Sequence, residues 1–97
     1  MTSRDEYVAT LKGQLEQWIT QMAAWESEAR GATAEARSEL EKQIGIMKSR
    51  VDDMVFRMEL LQGASADAWQ EIARGADEAR KAMQDAFEKA RLHFKDL

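Results

Sequence analysis

The chain contains no cysteine and no proline, and no asparagine occurs along it. Without cysteine, neither a disulfide framework nor a thiolate metal site can be built, so stability must come from packing. Without proline and asparagine, two of the three best turn formers are missing, which leaves regular helix as the main option. A single histidine, His93, has no second imidazole to share a metal with; it reads as a helix C-terminal cation or a surface residue. No run approaches the roughly 18 apolar residues of a membrane-spanning helix. The opening "MTSRDEYVAT" holds no apolar segment, so neither a signal peptide nor an anchor is expected. The expectation is a cytoplasmic protein, with a membrane partner disfavoured. The net charge of −4, with no basic block in either half, also argues against nucleic acid, whose affinity for proteins comes from neutralised phosphates.

What is present is helical. Charged residues make up 33% of the chain, and with Ala, Glu, Lys, Arg and Leu dominant this is the composition of long or coiled helices. A chain of 97 residues is one domain and buries only about 60 to 65% of its unfolded surface. Its stability margin is thin unless a partner adds to the core.

Ser3 followed by Glu6 is a capping box, so a helix is expected to begin at Arg4. From there an apolar stripe runs through Tyr7, Leu11, Leu15, Trp18, Met22, Trp25, Ala29, Ala32, Ala36, Leu40, Ile44, Met47, Val51, Met54, Met58 and Leu61. Its fifteen steps cover 54 residues, a mean of about 3.6, which predicts a nearly straight helix and no left-handed supercoil. The segment "RGATAEAR" is echoed 32 residues later by "QGASADAW", and turns at both would give three helices. The stripe nevertheless crosses Gly31 in phase, which predicts that Gly31 is helical at a cost of about 1 kcal/mol relative to Ala. Gly63 differs, because it can take the left-handed position that ends a helix while Ser65 or Asp67 caps the next. The predicted fold is therefore all-α: a single domain over 1–97 with a helix over 4–62, a turn over 63–66 and a helix over 66–96. This is an antiparallel hairpin of unequal arms that assembles into an oligomeric coiled coil or bundle. The alternative is a three-helix bundle turning at Gly31, which would hide both early tryptophans without a partner.

The unequal arms carry a functional expectation. At 1.5 Å per residue the first helix spans about 88 Å and the second about 46 Å, so the return helix covers only residues from about 33 to 62. The face formed by Tyr7, Leu11, Leu15, Trp18, Met22 and Trp25 would be bare, a larger apolar patch than soluble monomers tolerate. A second stripe of Ile46, Phe56 and Leu60 lies roughly opposite the one suited to the return helix, and two stripes imply two neighbours. These nine residues are the predicted oligomer interface. The expected partner is another copy of the chain, since closed homo-oligomers are the commonest assembly, or else a client protein.

Candidate chemistry is sparse. Asp52/Asp53, Asp77/Glu78 and Glu26/Glu28 would need a concave pocket to act as paired acid and base. Asp53/Arg57, Asp77/Lys81, Asp85/Lys89 and Glu26/Arg30 instead fit ordinary ion pairs four residues apart. The five glycines are scattered, and no phosphate-binding loop or Ser/His/Asp arrangement is present. No catalytic, cofactor-binding or metal-binding residue is predicted, and the protein is expected not to be an enzyme. The apolar face of "AWQEIARGADEARKAMQDAFEKARLHF", with Trp69, Ile72, Met83, Phe87 and Phe94, could lie on a lipid or polymer surface. Interfacial helices usually carry surplus Lys and Arg, whereas here the charges cancel.

The segments "SRDEYVATLKGQLEQW" and "ASADAWQEIARGADEARKAMQDAFEKA" together resemble small bacterial coiled-coil proteins, often of about this length, that are linked in cyanobacterial relatives to stress response. That resemblance implies a cytoplasmic, nonenzymatic helical protein and supplies no functional residues to carry over. The tail segment "AFEKA" is similar to phasins, which coat storage-polymer granules; this implies the alternative of a peripheral lipid-surface or granule-surface protein.

Overall fold

Ser3 opens the first helix as its spacing predicts. Its hydroxyl accepts from the Glu6 amide at 3.2 Å, and Asp5 and Glu6 place negative charge against the positive end of the helix. The computed structural model describes residues 3–95 and contains three helices: α1 (Arg4–Arg30), α2 (Ala34–Gly63) and α3 (Trp69–Lys95). No strand occurs among the described residues. The fold is all-α.

The helix predicted over 4–62 is two helices. α1 stops at Arg30, and Gly31 caps it in the right-handed region at φ −87°, ψ −5°. Thr33 then turns extended, and its hydroxyl accepts from the Ala36 amide at 3.3 Å, satisfying one of the free donors that open α2. The Arg37 guanidinium reaches back to donate to the Arg30 carbonyl at 3.0 Å, where α1 runs out of amide partners. The sequence spacing of the stripe survives this break because residues 31–33 number three, close to the 3.6 residues of one helical turn. Ala29, Ala32 and Ala36 keep their spacing although the chain reverses between them.

The second turn falls close to its predicted place, by different means. Gly63 ends α2 as its last helical residue, and Ala64 succeeds it in extended conformation. No residue among those described has positive φ, so the left-handed role predicted for Gly63 is not used. The Arg4 guanidinium donates to the Ala64 carbonyl, fastening the start of α1 over this turn. Ser65 caps the lead-in to the third helix through its hydroxyl, which accepts from the Ala68 amide at 3.3 Å. α3 starts at Trp69 rather than at residue 66; its predicted end at 96 lies outside the described residues.

The three helices lie side by side within 51 × 18 × 17 Å, so the predicted rod of about 88 Å is shortened to roughly the length of its longest helix. The radius of gyration of 15.4 Å exceeds the approximately 12.5 Å of a compact domain this size, and the molecule is a narrow bundle. One core runs its length. It takes Leu11, Leu15, Met22, Trp25 and Ala29 from α1, and Leu40, Ile44, Met47, Val51, Met54 and Leu61 from α2. α3 adds Ala73, Ala76, Ala79, Met83, Phe87, Ala90 and Phe94. No charged or polar residue is buried among those described, so hydrophobic transfer and packing supply the cohesion.

The seams differ because the side chains differ. The buried alanines of α3 let it lie close against α2, whereas the α1 and α3 backbones approach each other at few places. Large rings fill that wider seam. Trp18 and Trp25 lie with ring centroids 6.0 Å and 5.6 Å from Phe87, and Trp25 stacks on Phe94 at 4.9 Å.

Candidate interaction surface

The nine residues predicted to form an oligomer interface divide into two groups. Tyr7, Leu11, Leu15, Trp18, Met22 and Trp25 are enclosed by their own chain: Leu11, Leu15, Met22 and Trp25 are buried, and Tyr7 and Trp18 are half-buried against the same core. The bare face predicted for them is therefore absent, and Leu11, Leu15, Met22 and Trp25 are not open to a second chain. The reason is the turn at residues 31–33, which brings α3 alongside α1 and covers the face that a continuous helix would have left bare.

Ile46, Phe56 and Leu60 behave differently. They are exposed at 40%, 58% and 42% respectively, on the side of α2 opposite its buried stripe. Two apolar residues outside the predicted stripes share this exposure, Ile19 at 41% and Leu92 at 62%. Ile19 stands apart on α1 and is ordinary surface. Leu92 does not stand apart, because it lines the same groove as Ile46.

That groove, of about 530 Å³, runs between α2 and α3. Its floor is Ile46, Ala82, Ala86 and Leu92, and its rim carries Arg50, Asp85, Lys89 and His93. The small alanines make the hollow, and the neighbouring turns of helix supply the charges. The predicted Asp85/Lys89 pair does not form within 4.0 Å, and among the described residues neither these two nor Arg50 has an ion-pair partner. Elsewhere among the described residues some charges pair and others, among them Lys12, Glu16, Lys42 and Glu59, do not. Asp53 and Arg57 pair as predicted at 3.2 Å, Asp77 takes Arg80 at 3.8 Å in place of Lys81, and Glu26 reaches across to Lys48 at 3.5 Å in place of Arg30. His93 lies 4.0 Å from Glu39 at the far end of the groove.

Another polar cluster lies where α1 meets α3. The Tyr7 hydroxyl donates to the Asp77 carboxylate and lies 3.1 Å from the Ala73 carbonyl oxygen. Burial, then the hydrogen bond and the negative charge of Asp77, push the Tyr7 hydroxyl well above the ordinary tyrosine value, against the opposing pull of Arg80. Gln14 turns a buried amide oxygen without a partner toward the same seam. The hollow there measures about 200 Å³, below the roughly 300 to 1,000 Å³ of ligand pockets, and its hydrogen bonds tie helices together. Among the described residues, no group of three or more His, Cys, Asp or Glu could hold a metal ion, and no helix is long and apolar enough to cross a membrane.

No protein-family model matches the chain, and neither the curated proteins nor the solved structures include a significant match. The surface must therefore be read from its own chemistry. It offers two exposed apolar patches, Ile46 with Leu92 in the groove and Phe56 with Leu60 further along α2, with Arg50 and Asp85 unpaired at the first.

Proposed function

We propose that this chain is a nonenzymatic helical interaction protein that associates with a second copy of itself through the outer face of α2. The observation that carries this reading is the exposure of Phe56, with Leu60 one turn on and Ile46 about three turns back, on a helix whose inner face already has its neighbours. An aromatic ring more than half exposed, with exposed aliphatic side chains on the same helix, fits the composition of an interface core. One side of the bundle, 51 by 18 Å, also has room for the approximately 800 Å² that each partner contributes to a specific interface. A link to stress response rests on the sequence resemblance alone.

The competing reading, a lipid or polymer-granule coat, is less well supported. The apolar face of α3 that would lie on such a surface, Met83, Phe87 and Phe94, is occupied in the core, and using it would require the bundle to open.

Light scattering of the wild-type chain and of a variant carrying Ile46→Ser, Phe56→Ser and Leu60→Ser tests the proposal. The wild type is expected at no less than twice the 11.1 kDa chain mass, and the variant at the chain mass with unchanged helicity. A variant that assembles as well as the wild type rejects these three residues as the contact. Binding of the wild type to neutral or anionic vesicles favours the competing reading.

A further inference from the structure

The groove between α2 and α3 carries charges that are complementary to themselves. Arg50 and Asp85 rim the same hollow, both are exposed, and neither has an ion-pair partner within 4.0 Å among the described residues. α2 and α3 run antiparallel, with Arg57 against Gly75 and Glu39 against His93. Continued along the seam, that register puts Asp85 opposite residue 47, about 4.5 Å along the axis from Arg50 at 1.5 Å per residue. Ala86 falls opposite Ile46. A surface with both signs of charge at one height, around an apolar floor, can satisfy a second copy of itself.

We infer that two copies of this chain dock through their α2/α3 faces about a two-fold axis parallel to the helices, so that Arg50 of each copy meets Asp85 of the other across a floor of Ile46, Ala82, Ala86 and Leu92. This rests on the self-association proposed above and specifies its geometry. Such an axis lays α2 of one copy over α3 of the other at unchanged height, which makes two Arg50–Asp85 pairs and sets Ile46 of each copy over Ala86 of the other. The four contacting helices then form an alternating bundle core. A two-fold axis across the helices through Ile46 would instead lay α2 on α2 and bring Arg50 toward the partner's Lys42. Like charges meeting in this way disfavour that docking.

The geometry predicts a charge-swap result that other arrangements do not. Arg50→Glu gives a homodimer with two Glu–Asp oppositions, and Asp85→Arg gives one with two Arg–Arg oppositions. A mixture of the two variants restores an attractive pair at both places. In sedimentation equilibrium at about 50 μM, the wild type is expected as a dimer and each single variant with its dissociation constant raised by about a hundredfold or more. The equimolar mixture is expected to dimerise again. Leu92→Ser, which alters no charge, is expected to weaken the dimer by about tenfold or more, and circular dichroism checks that each variant remains helical. If the wild type dimerises but a charge reversal leaves its affinity unchanged, or the mixture stays monomeric, the two-fold geometry is overturned while self-association stands. A monomeric wild type overturns both.

Discussion

Trp25 lies on Phe94 with ring centroids 4.9 Å apart and planes only 10° from parallel, joining the end of α1 to the end of α3. These residues are 69 positions apart, and their contact exists because the chain turns twice between them. Trp25 is 7% exposed and Phe94 6%, so the indole contributes to the stability of a single chain and not to a contact between chains. Trp25→Ala is expected to destabilise the fold by about 3 kcal/mol or more, lowering the melting temperature of a domain this size by on the order of 12 °C. A thermal melt followed by circular dichroism checks this. A variant that melts with the wild type would place the ring outside the core.

Tyr7 links stability to pH. Its hydroxyl is protonated and hydrogen-bonded to Asp77 in the folded chain, and its pKa is raised above the ordinary value of 10.0. The stabilisation is therefore complete below about pH 10 and is lost as pH rises beyond it, because the unfolded chain ionises first. Tyr7→Phe is expected to cost about 1 kcal/mol near neutrality. That difference should shrink in urea denaturation at about pH 11, where wild-type stability falls through this group and the variant lacks it. A gap that stays constant or widens with pH would contradict the assignment.

The first turn depends on Thr33 more than on Gly31. Thr33→Ala removes the cap of α2 and is expected to cost about 1 kcal/mol. A Cβ at Gly31 would meet nothing closer than the Glu28 carbonyl oxygen at 3.7 Å, and its φ of −87° suits any residue. Gly31→Ala is expected to be neutral or to stabilise by up to about 1 kcal/mol, by narrowing the unfolded ensemble. Chemical denaturation of the two variants measures both effects, and the reverse order would mean that the turn needs glycine.

Glycines inside the helices separate propensity from packing. A Cβ at Gly45 would have no neighbour within 4 Å, whereas at Gly75 it would sit 2.6 Å from Nη1 of Arg57. Gly45→Ala is expected to stabilise the chain by about 1 kcal/mol. Gly75→Ala should gain less, because Arg57 must swing aside and disturb its pair with Asp53. Chemical denaturation compares the two, and equal gains would show that Arg57 does not lie over Gly75 in solution.

Much of this architecture was legible in the sequence. The N-cap at Ser3, a cap at Ser65 or Asp67 and the buried stripes of all three helices come from spacing alone, and so does the off-stripe position of Ile46, Phe56 and Leu60; the structure uses Ser65. The turn at residues 31–33 was masked because a link of that length preserves helical phase, so Ala29, Ala32 and Ala36 look continuous across a reversal. The echoed "RGATAEAR" and "QGASADAW" held the missing signal, with a hydroxyl residue two positions after each glycine ready to cap the next helix. Reading one helix where two exist then turned four core residues, Leu11, Leu15, Met22 and Trp25, and the half-buried Tyr7 and Trp18 into apparent surface. Leu92 was missed for another reason: one leucine between Arg91 and His93 breaks no periodic pattern, and only the antiparallel register of α2 and α3 brings it into the groove with Ile46.

The mass of the unmodified chain by sedimentation equilibrium at about 50 μM tests the central claim most directly. A particle of twice the 11.1 kDa chain mass is expected, formed while Trp25 stays inside each bundle and the groove holding Ile46 and Leu92 is covered by a second copy. A single species at 11.1 kDa would contradict it.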